Sequence, residues 1–474
     1  MISGEVTRAS FHDPDGSVYL TTQTVWRSLT ATAGSRLQAF LETPIAQALQ
    51  SEGVLPATRR LQPGERPFGA PSSASKSDAV WFEHQFVGFV GYPHEWLAEQ
   101  LHEAGMAMVA LARRLRAVGW DLKDCNARNI VFRGLTPLFV DFGSFVRRDD
   151  AAALWRPAGQ LQRHVLLPLL LHAELQLQPA AMLLARPDGI GHQDAHASLR
   201  GWRTFKPDVF WTCAVPAWLA RFHETSGVAR SYSPEVARAA TDATVRSLER
   251  RLRSIGHHAP PMRSAWAGYE QDRLHYAPDQ LALKRSTIER WLKSSPPAPL
   301  LDIGTNGGEF ANLAASNRYG VVSIDNDPGA LTIARAAARR AGLPVLHLVV
   351  DFASPTPALG WCGRECQSFD QRCEAHFDVV MALAVAHHIM VAGGIPLDEL
   401  VAKLARYTRR ELWIEYVDPR DVKFAEIATR HQLDFSGLND TGFECALRRH
   451  FDIAERVPLI ESSRTLYRCM RRPA

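Results

Sequence analysis

Residues 300–310 read Leu300-Leu301-Asp302-Ile303-Gly304-Thr305-Asn306-Gly307-Gly308-Glu309-Phe310. An apolar run passes into a glycine-rich turn and then into a helical pattern. Glycine in such a turn lets the backbone come close to a ligand, because no Cβ intervenes. The next apolar run ends in Ile324-Asp325-Asn326-Asp327, and Asp325 follows Gly304 by 21 residues. An acid at that distance, at a strand end, is placed to hydrogen-bond ribose hydroxyls. A third run closes on Val350-Asp351-Phe352, an acid and a ring suited to an adenine. A fourth closes on Phe377-Asp378-Val379-Val380-Met381-Ala382-Leu383. Together these four signals point to a nucleoside-bearing cofactor.

Taken alone, they fit a dinucleotide enzyme or a methyltransferase. The turn reads G-x-N-x-G rather than G-x-G-x-x-G, and Asp302 stands directly before Ile303-Gly304. That order resembles the class I S-adenosylmethionine (SAM) methyltransferases. The resemblance implies a Rossmann-like α/β domain with a mostly parallel seven-stranded sheet, SAM as cofactor and S-adenosylhomocysteine (SAH) as product. It implies that Gly304, Asn306 and Gly308 line the methionine half of SAM, that Asp302 also binds the cofactor and that Asp325 takes the ribose. Asp351 and Phe352 would take the adenine, and Ala382 would border the site. Asn306 stands where glycine is commoner.

Methyl transfer needs a nucleophile aligned with the methyl group and often a base. In an open α/β sheet, ligands sit beyond the strand C-termini. That selects Ala384-Val385-Ala386-His387-His388-Ile389, after the fourth strand. Histidine titrates near working pH, so His387 and His388 are candidate bases, with His387 slightly ahead. The fifth strand carries Trp413-Ile414-Glu415-Tyr416-Val417. An acid in an apolar strand is costly unless paired. Glu415 is open to orienting a histidine, binding a substrate amine, acting as base or forming a buried ion pair. No metal is expected. Cys362, Cys366 and Cys373 are spaced C-x3-C-x6-C, which fits neither a zinc ribbon nor an iron–sulfur loop. His192 and His196, four apart, lie in a stretch that reads as a loop.

The N-terminal half carries DLKDCNARNIVFRGLTPLFVDFGSF over 121–145. Asn129 follows Asp124 by five residues, and Asp141-Phe142-Gly143 begins twelve residues after Asn129. This resembles the catalytic loop and DFG segment of protein kinases. The resemblance implies that Asp124 accepts a hydroxyl proton while Asn129 and Asp141 hold Mg²⁺ on the phosphates of ATP. No glycine-rich strand–turn–strand precedes residue 90, and Lys76, in a Ser-rich loop, is the one lysine there. The reading is a degenerate kinase-like module for substrate or scaffolding. A working phosphotransferase using Mg-ATP is the alternative.

The elements that must position these residues follow from periodicity. Residues 94–118 carry apolar residues at helical spacing. After residue 298, short apolar strands alternate with Ala-rich helices, which argues for βαβ units. Breaks at 62–78, 255–264 and 294–299 suggest two domains. The first, 1–260, has a reduced N-lobe-like part (1–90) and a helical C-lobe-like part (91–260), an α+β arrangement. The second, 265–474, is the methyltransferase domain.

The chain has 474 residues, 46% hydrophobic and 22% charged, a globular composition. Its net charge is +4, with seven lysines against 47 arginines. A charge spread that thinly excludes a nucleic-acid face. His164–Ala185 is apolar but broken by polar residues, so it reads as a buried helix pair and not as a span. Seven cysteines without a repeating spacing make no disulfide framework and fit a reducing compartment. The expectation is a cytoplasmic protein with a small-molecule or glycan substrate and no membrane or nucleic-acid partner; a homodimer is open to it.

The whole pattern resembles a bacterial family of SAM methyltransferases that includes nodulation-type proteins and natural-product or polysaccharide tailoring enzymes. The matching residues include Phe11-His12-Asp13-Pro14-Asp15-Gly16, Tyr92-Pro93-His94-Glu95-Trp96, Leu122-Lys123-Asp124, Asp188-Gly189-Ile190, Gly360-Trp361, His387-His388, Ile414-Glu415-Tyr416-Val417 and Ser462-Ser463-Arg464-Thr465-Leu466-Tyr467. The resemblance implies methylation of an oxygen or nitrogen on a small metabolite, sugar or natural-product intermediate. It also points to the region before the glycine turn, with Trp266, Tyr269, Tyr276 and Lys284. Lys284 is a candidate partner for the SAM carboxylate. The chain departs from the family at Phe142-Gly143, where Thr-Leu is expected. That departure keeps a bifunctional kinase–methyltransferase in view, beside a non-catalytic SAM-binding or assembly protein.

Overall fold

A computed structural model describes residues 7–473, apart from 12, 22, 63–64, 66–78, 223–232 and 259–275. Lys76, Trp266 and Tyr269 therefore lie outside the described residues, with most of the 62–78 stretch. The chain forms two compact units, one of 1–260 with 359–366 and one of 261–358 with 367–474. The sequence reading leaves 359–366 inside the second domain. Leu359 and Cys366 pair there as an isolated bridge, and the Arg364 guanidinium lies 5.2 Å over the Phe11 ring.

The first unit begins with an antiparallel sheet of β1 (Thr7–Arg8), β2 (Gly16–Leu20), β3 (Val25–Leu29), β4 (Thr58–Arg60) and β5 (Val80–His84), in the order β1-β2-β3-β5-β4. A helix, Ala31–Leu41, follows β3 and is capped by the Thr30 hydroxyl. Its Phe40 is sealed against Phe145 and Trp120 at 4.0 and 5.1 Å. The long helix Ala98–Ala117 buries Leu101, Ala104, Met108, Leu111 and Leu115, a single stripe at helical spacing. Two short antiparallel pairs follow, β6 (Trp120–Leu122) with β9 (Phe145–Arg147) and β7 (Ile130–Arg133) with β8 (Thr136–Phe139).

The greasy stretch folds as helices Leu167–Leu175 and Pro179–Ala185. Among the described residues no helix is long and apolar enough to cross a membrane. One local expectation fails. His192–Ser198 is a short helix, not a loop, because Ala195 and Leu199 are fully buried beneath it. Its histidines do not converge: His192 bonds Gln162 at 2.7 Å, and His196 meets the Trp218 ring edge-on.

The second unit is a seven-stranded sheet in the order β12-β11-β10-β13-β14-β16-β15. Its strands are β10 (Pro299–Ile303), β11 (Gly320–Asp325), β12 (Leu346–Val349), β13 (Phe377–Ala382), β14 (Thr408–Val417), β15 (Phe451–Pro458) and β16 (Arg464–Arg471). The first five pair in parallel, and β16 runs antiparallel to β14 and β15. Strands buried on both faces need continuous apolar runs, which is why Leu300, Leu301 and Ile303 are all sealed. The helix Pro278–Ser294 turns Lys284, Ile288 and Trp291 inward, and Trp291 packs on Trp413 at 5.7 Å. The turn after β10 thus sits where strand order reverses, the place such sheets bind ligands.

Candidate active site

Gly304 has φ +70° and Gly308 φ +82°, left-handed values that cost glycine least. A Cβ on Gly304 would stand 2.6 Å from Cγ2 of Val385. Asn306 holds φ +48°, which asparagine tolerates better than most residues; this is how the turn dispenses with a glycine there. Gly308 has another reason. A Cβ there would lie 2.8 Å from Cβ of Ala334, so Gly308 lets two helices pack and does not line the cavity that the turn opens onto. Asp325, at the end of β11, accepts the backbone N–H of Asn306 at 3.0 Å and of Asp327 at 2.9 Å.

That cavity measures about 450 Å³, within the usual range for small-ligand sites. Asp302, Gly304, Asn306, Asp325, Asp351, Phe352 and Lys284 all face it, as do Tyr276, Phe310, Leu383, Val385, His388 and Ile389. Ala382 does not. It is the last residue of β13, sealed between its neighbours, and the lining begins one residue later at Leu383.

The two histidines separate. His388 faces the cavity, whereas His387 is buried, its ring 4.2 Å from His388 and stacked on Phe424 at 5.6 Å. The order expected from sequence is therefore reversed: a helix Ala386–Ala392 points adjacent residues about 100° apart, and the packing of Phe424 takes His387. Burial, with Arg464 and Lys423 adding to it, pushes the His388 pKa down to about 4. Burial first, then His388, Arg464 and Lys284, hold His387 well below its ordinary value too.

Glu415 is fully sealed and does not line the cavity. Its carboxylate accepts from Lys284 Nζ at 2.6 Å and from the Tyr276 hydroxyl at 2.7 Å. Of the roles open to it, the structure takes the buried ion pair. Arg464 stands 3.8 Å from Glu415, and neither it nor Tyr276 has a role that sequence spacing alone assigns. The signal for Arg464 was available, since a charged residue in the apolar strand Arg464–Arg471 also needs a buried partner.

In the first unit, Asn129 Nδ2 donates to Asp141 at 3.4 Å, and Asp124 accepts from Gln160 at 2.7 Å. Arg27, on β3, reaches Asp141 at 3.2 Å. Burial raises the Asp141 pKa, Arg27 opposes that, and Asp13 and Asp124 add to it. Among the described residues no group of His, Cys, Asp and Glu is arranged to hold a metal.

A family model described as a methyltransferase domain matches residues 301–411, from the glycine turn through His388 into β14. The protein is a SAM-dependent methyltransferase. Over 467 residues the methyltransferase is 26% identical to nodulation protein NoeA of Rhizobium meliloti (strain 1021), covering 97% of this chain and 94% of that one. Among solved structures it is similar to the N-methyltransferase NodS from Bradyrhizobium japonicum WM9 in complex with SAH, at 15% identity over 44% of this chain and all of that chain, with a TM-score of 0.30. It is also similar to magnesium protoporphyrin IX methyltransferase from Synechocystis PCC 6803 with bound SAM, at 15% identity over 41% of this chain and 80% of that one, with a TM-score of 0.27.

The residues fit SAM. Three carboxylates, Asp302, Asp325 and Asp351, face a cavity that would receive a cationic, hydroxyl-bearing ligand, and the Gly304 turn, packed against Val385, lines it beside them. Two predictions arise here. Asp325→Ala removes a cavity-facing carboxylate and the anchor of the turn, and SAM affinity is expected to fall about 10- to 100-fold, as loss of hydrogen bonds to a charged group requires. Calorimetric titration checks it, and unchanged affinity refutes the role. The second concerns Asp302, whose pKa is raised to about 6 by burial first and the charge of Asp325, against the influence of Thr305 and Lys284. A cationic ligand favours the carboxylate, so binding expels the proton. SAM affinity therefore rises with pH and levels off above about 6; below that it falls about tenfold per pH unit. Asp302→Asn flattens the profile.

Proposed function

We propose that the protein transfers the methyl group of SAM to an oxygen or nitrogen of a small metabolite, sugar or natural-product intermediate. The observation that carries this reading is one cavity holding both the Gly304 turn with its carboxylates and the imidazole of His388. When bound, SAM supplies an electrophilic methyl group. Asp325 and Asp351 hold the nucleoside, while Asp302 and Lys284 meet the charged amino-acid end. His388, kept neutral, accepts the proton that the acceptor sheds. Phe310, Leu383, Val385 and Ile389 keep water from the reacting end. The test is transfer of isotopically labelled methyl from SAM into acceptors fractionated from a producing extract, beside a titration with SAH. A wild-type protein that binds neither SAM nor SAH refutes the reading.

We infer that the first unit is a kinase-like, degenerate module that holds substrate or serves as scaffold. Support comes from its five-stranded antiparallel sheet with a helix after β3 and from the approach of Asn129 to Asp141. A second reading, a bifunctional enzyme that also binds Mg-ATP, is favoured by Arg27. Kinases place a phosphate-binding cation on the third strand, and Arg27 supplies one where no lysine stands. Asn129 and Asp141 are then the pair that would hold Mg²⁺. Against it, the Asp13 carboxylate reaches the same corner: a Cβ on Gly143 would lie 2.9 Å from its Oδ2 and 3.0 Å from Nη1 of Arg27. A degenerate module shows no thermal shift with Mg-ATP. A shift that Asp141→Asn abolishes supports the second reading.

A further inference from the structure

The cofactor cavity is backed by a buried polar group that strand chemistry alone does not require. The Tyr276 hydroxyl donates to Glu415 and accepts from Arg464 Nη1 at 2.5 Å and from Lys284 Nζ at 3.3 Å. Arg464 in turn holds Asp421, Nε to Oδ2 at 2.9 Å and Nη2 to Oδ1 at 3.2 Å, and its guanidinium lies 4.4 Å over the Tyr276 ring. The Lys284 ammonium lies 5.0 Å over the same ring and 5.1 Å over Phe310. Two cations and one carboxylate thus meet on one phenol, and a second carboxylate, Asp421, holds the far side of Arg464. Glu415 and Arg464 are sealed from solvent, while Tyr276 and Lys284 also face the cavity.

The arrangement sets a competition for Lys284. A buried carboxylate must be compensated, and Glu415 has two cations to do it. With Arg464 in place, the charge of Glu415 is divided between them. Without Arg464, all of it falls on Lys284, which is drawn toward β14 and away from the cavity.

We propose that Arg464 is a positioning residue for cofactor binding: it shares the charge of Glu415 and, through Tyr276, keeps the Lys284 ammonium at the cavity wall for the carboxylate of SAM. This rests on the assignment of the cavity to SAM and of Lys284 to its amino-acid end. It predicts a defect confined to ligands that carry that carboxylate.

The experiment titrates the full chain with SAH and with 5′-methylthioadenosine, which keeps the adenosine and lacks the amino-acid end. Arg464→Gln weakens SAH about tenfold, as loss of a charge-assisted contact requires, and leaves 5′-methylthioadenosine unchanged. Lys284→Met shows the same selectivity, the double variant is no worse than Lys284→Met, and Arg464→Lys restores part of the loss. Tyr276→Phe keeps every charge, and it gives a smaller loss with the same selectivity; it serves where Arg464→Gln does not fold. Equal loss for both ligands makes Arg464 merely structural and overturns the proposal, as does an undiminished affinity for SAH or an additive double variant. Wild-type protein that binds neither ligand refutes the cofactor site itself, a result distinct from these.

Discussion

His388→Gln lowers methyl transfer by about 10²- to 10⁴-fold, the usual contribution of a positioned acid–base group, while SAM affinity is retained. The expectation follows from where the imidazole stands and how it is held. His388 shares the cavity with the Gly304 turn, and its neighbour His387 is packed away under Phe424. Burial, Arg464 and Lys423 bring its pKa down to about 4. A group with a lowered pKa is in its base form at any pH well above that value, so kcat at saturating SAM stays level from neutral pH downward and falls only as pH approaches 4. An ordinary histidine base would begin to fail near 6.5. The measurement is kcat against pH for wild type and His388→Gln. Wild-type rates in the variant, or a fall in wild-type kcat near 6.5, would remove His388 from the base position. Saturating SAM matters because Asp302 imposes a separate pH dependence on affinity.

Glu415→Leu destabilises the second unit by about 3–5 kcal/mol, the cost of stranding buried charge. The carboxylate is fully sealed and serves Lys284, Tyr276 and, at 3.8 Å, Arg464. Its removal leaves Arg464 with Asp421 and takes from Lys284 the carboxylate that it bonds at 2.6 Å. Chemical denaturation of the full chain checks this, followed by a probe that reports the second unit, because a chain of two units need not unfold in one step. Glu415→Gln keeps the shape and the acceptor oxygen and is expected to lose less. An unchanged midpoint for Glu415→Leu would mean that the group is not compensating charge at all.

Much of the candidate site was legible because its signals are local. The Gly304 turn, Asp325 and Asp351 depend on where a strand ends and on which residues accept a left-handed backbone, and both are written within a few adjacent positions. Gly308 and Ala382 show the limit of that reading. They belong to the same motifs, yet each is spent on packing, Gly308 against Ala334 and Ala382 inside the sheet, and motif spacing does not reveal which side of a turn meets solvent.

By itself, then, the sequence determined the βαβ alternation, the turn and its acids, because period and turn chemistry are short-range properties. Only the tertiary structure decided which of two adjacent histidines faces the cavity. It also decided that Glu415 belongs to Lys284, 131 residues away, and that Arg27 on β3 finds Asp141. These are choices between burial and exposure, and between one ionic partner and another. Their free energies come from desolvation and charge compensation among residues distant in the chain, which no local pattern of residues encodes.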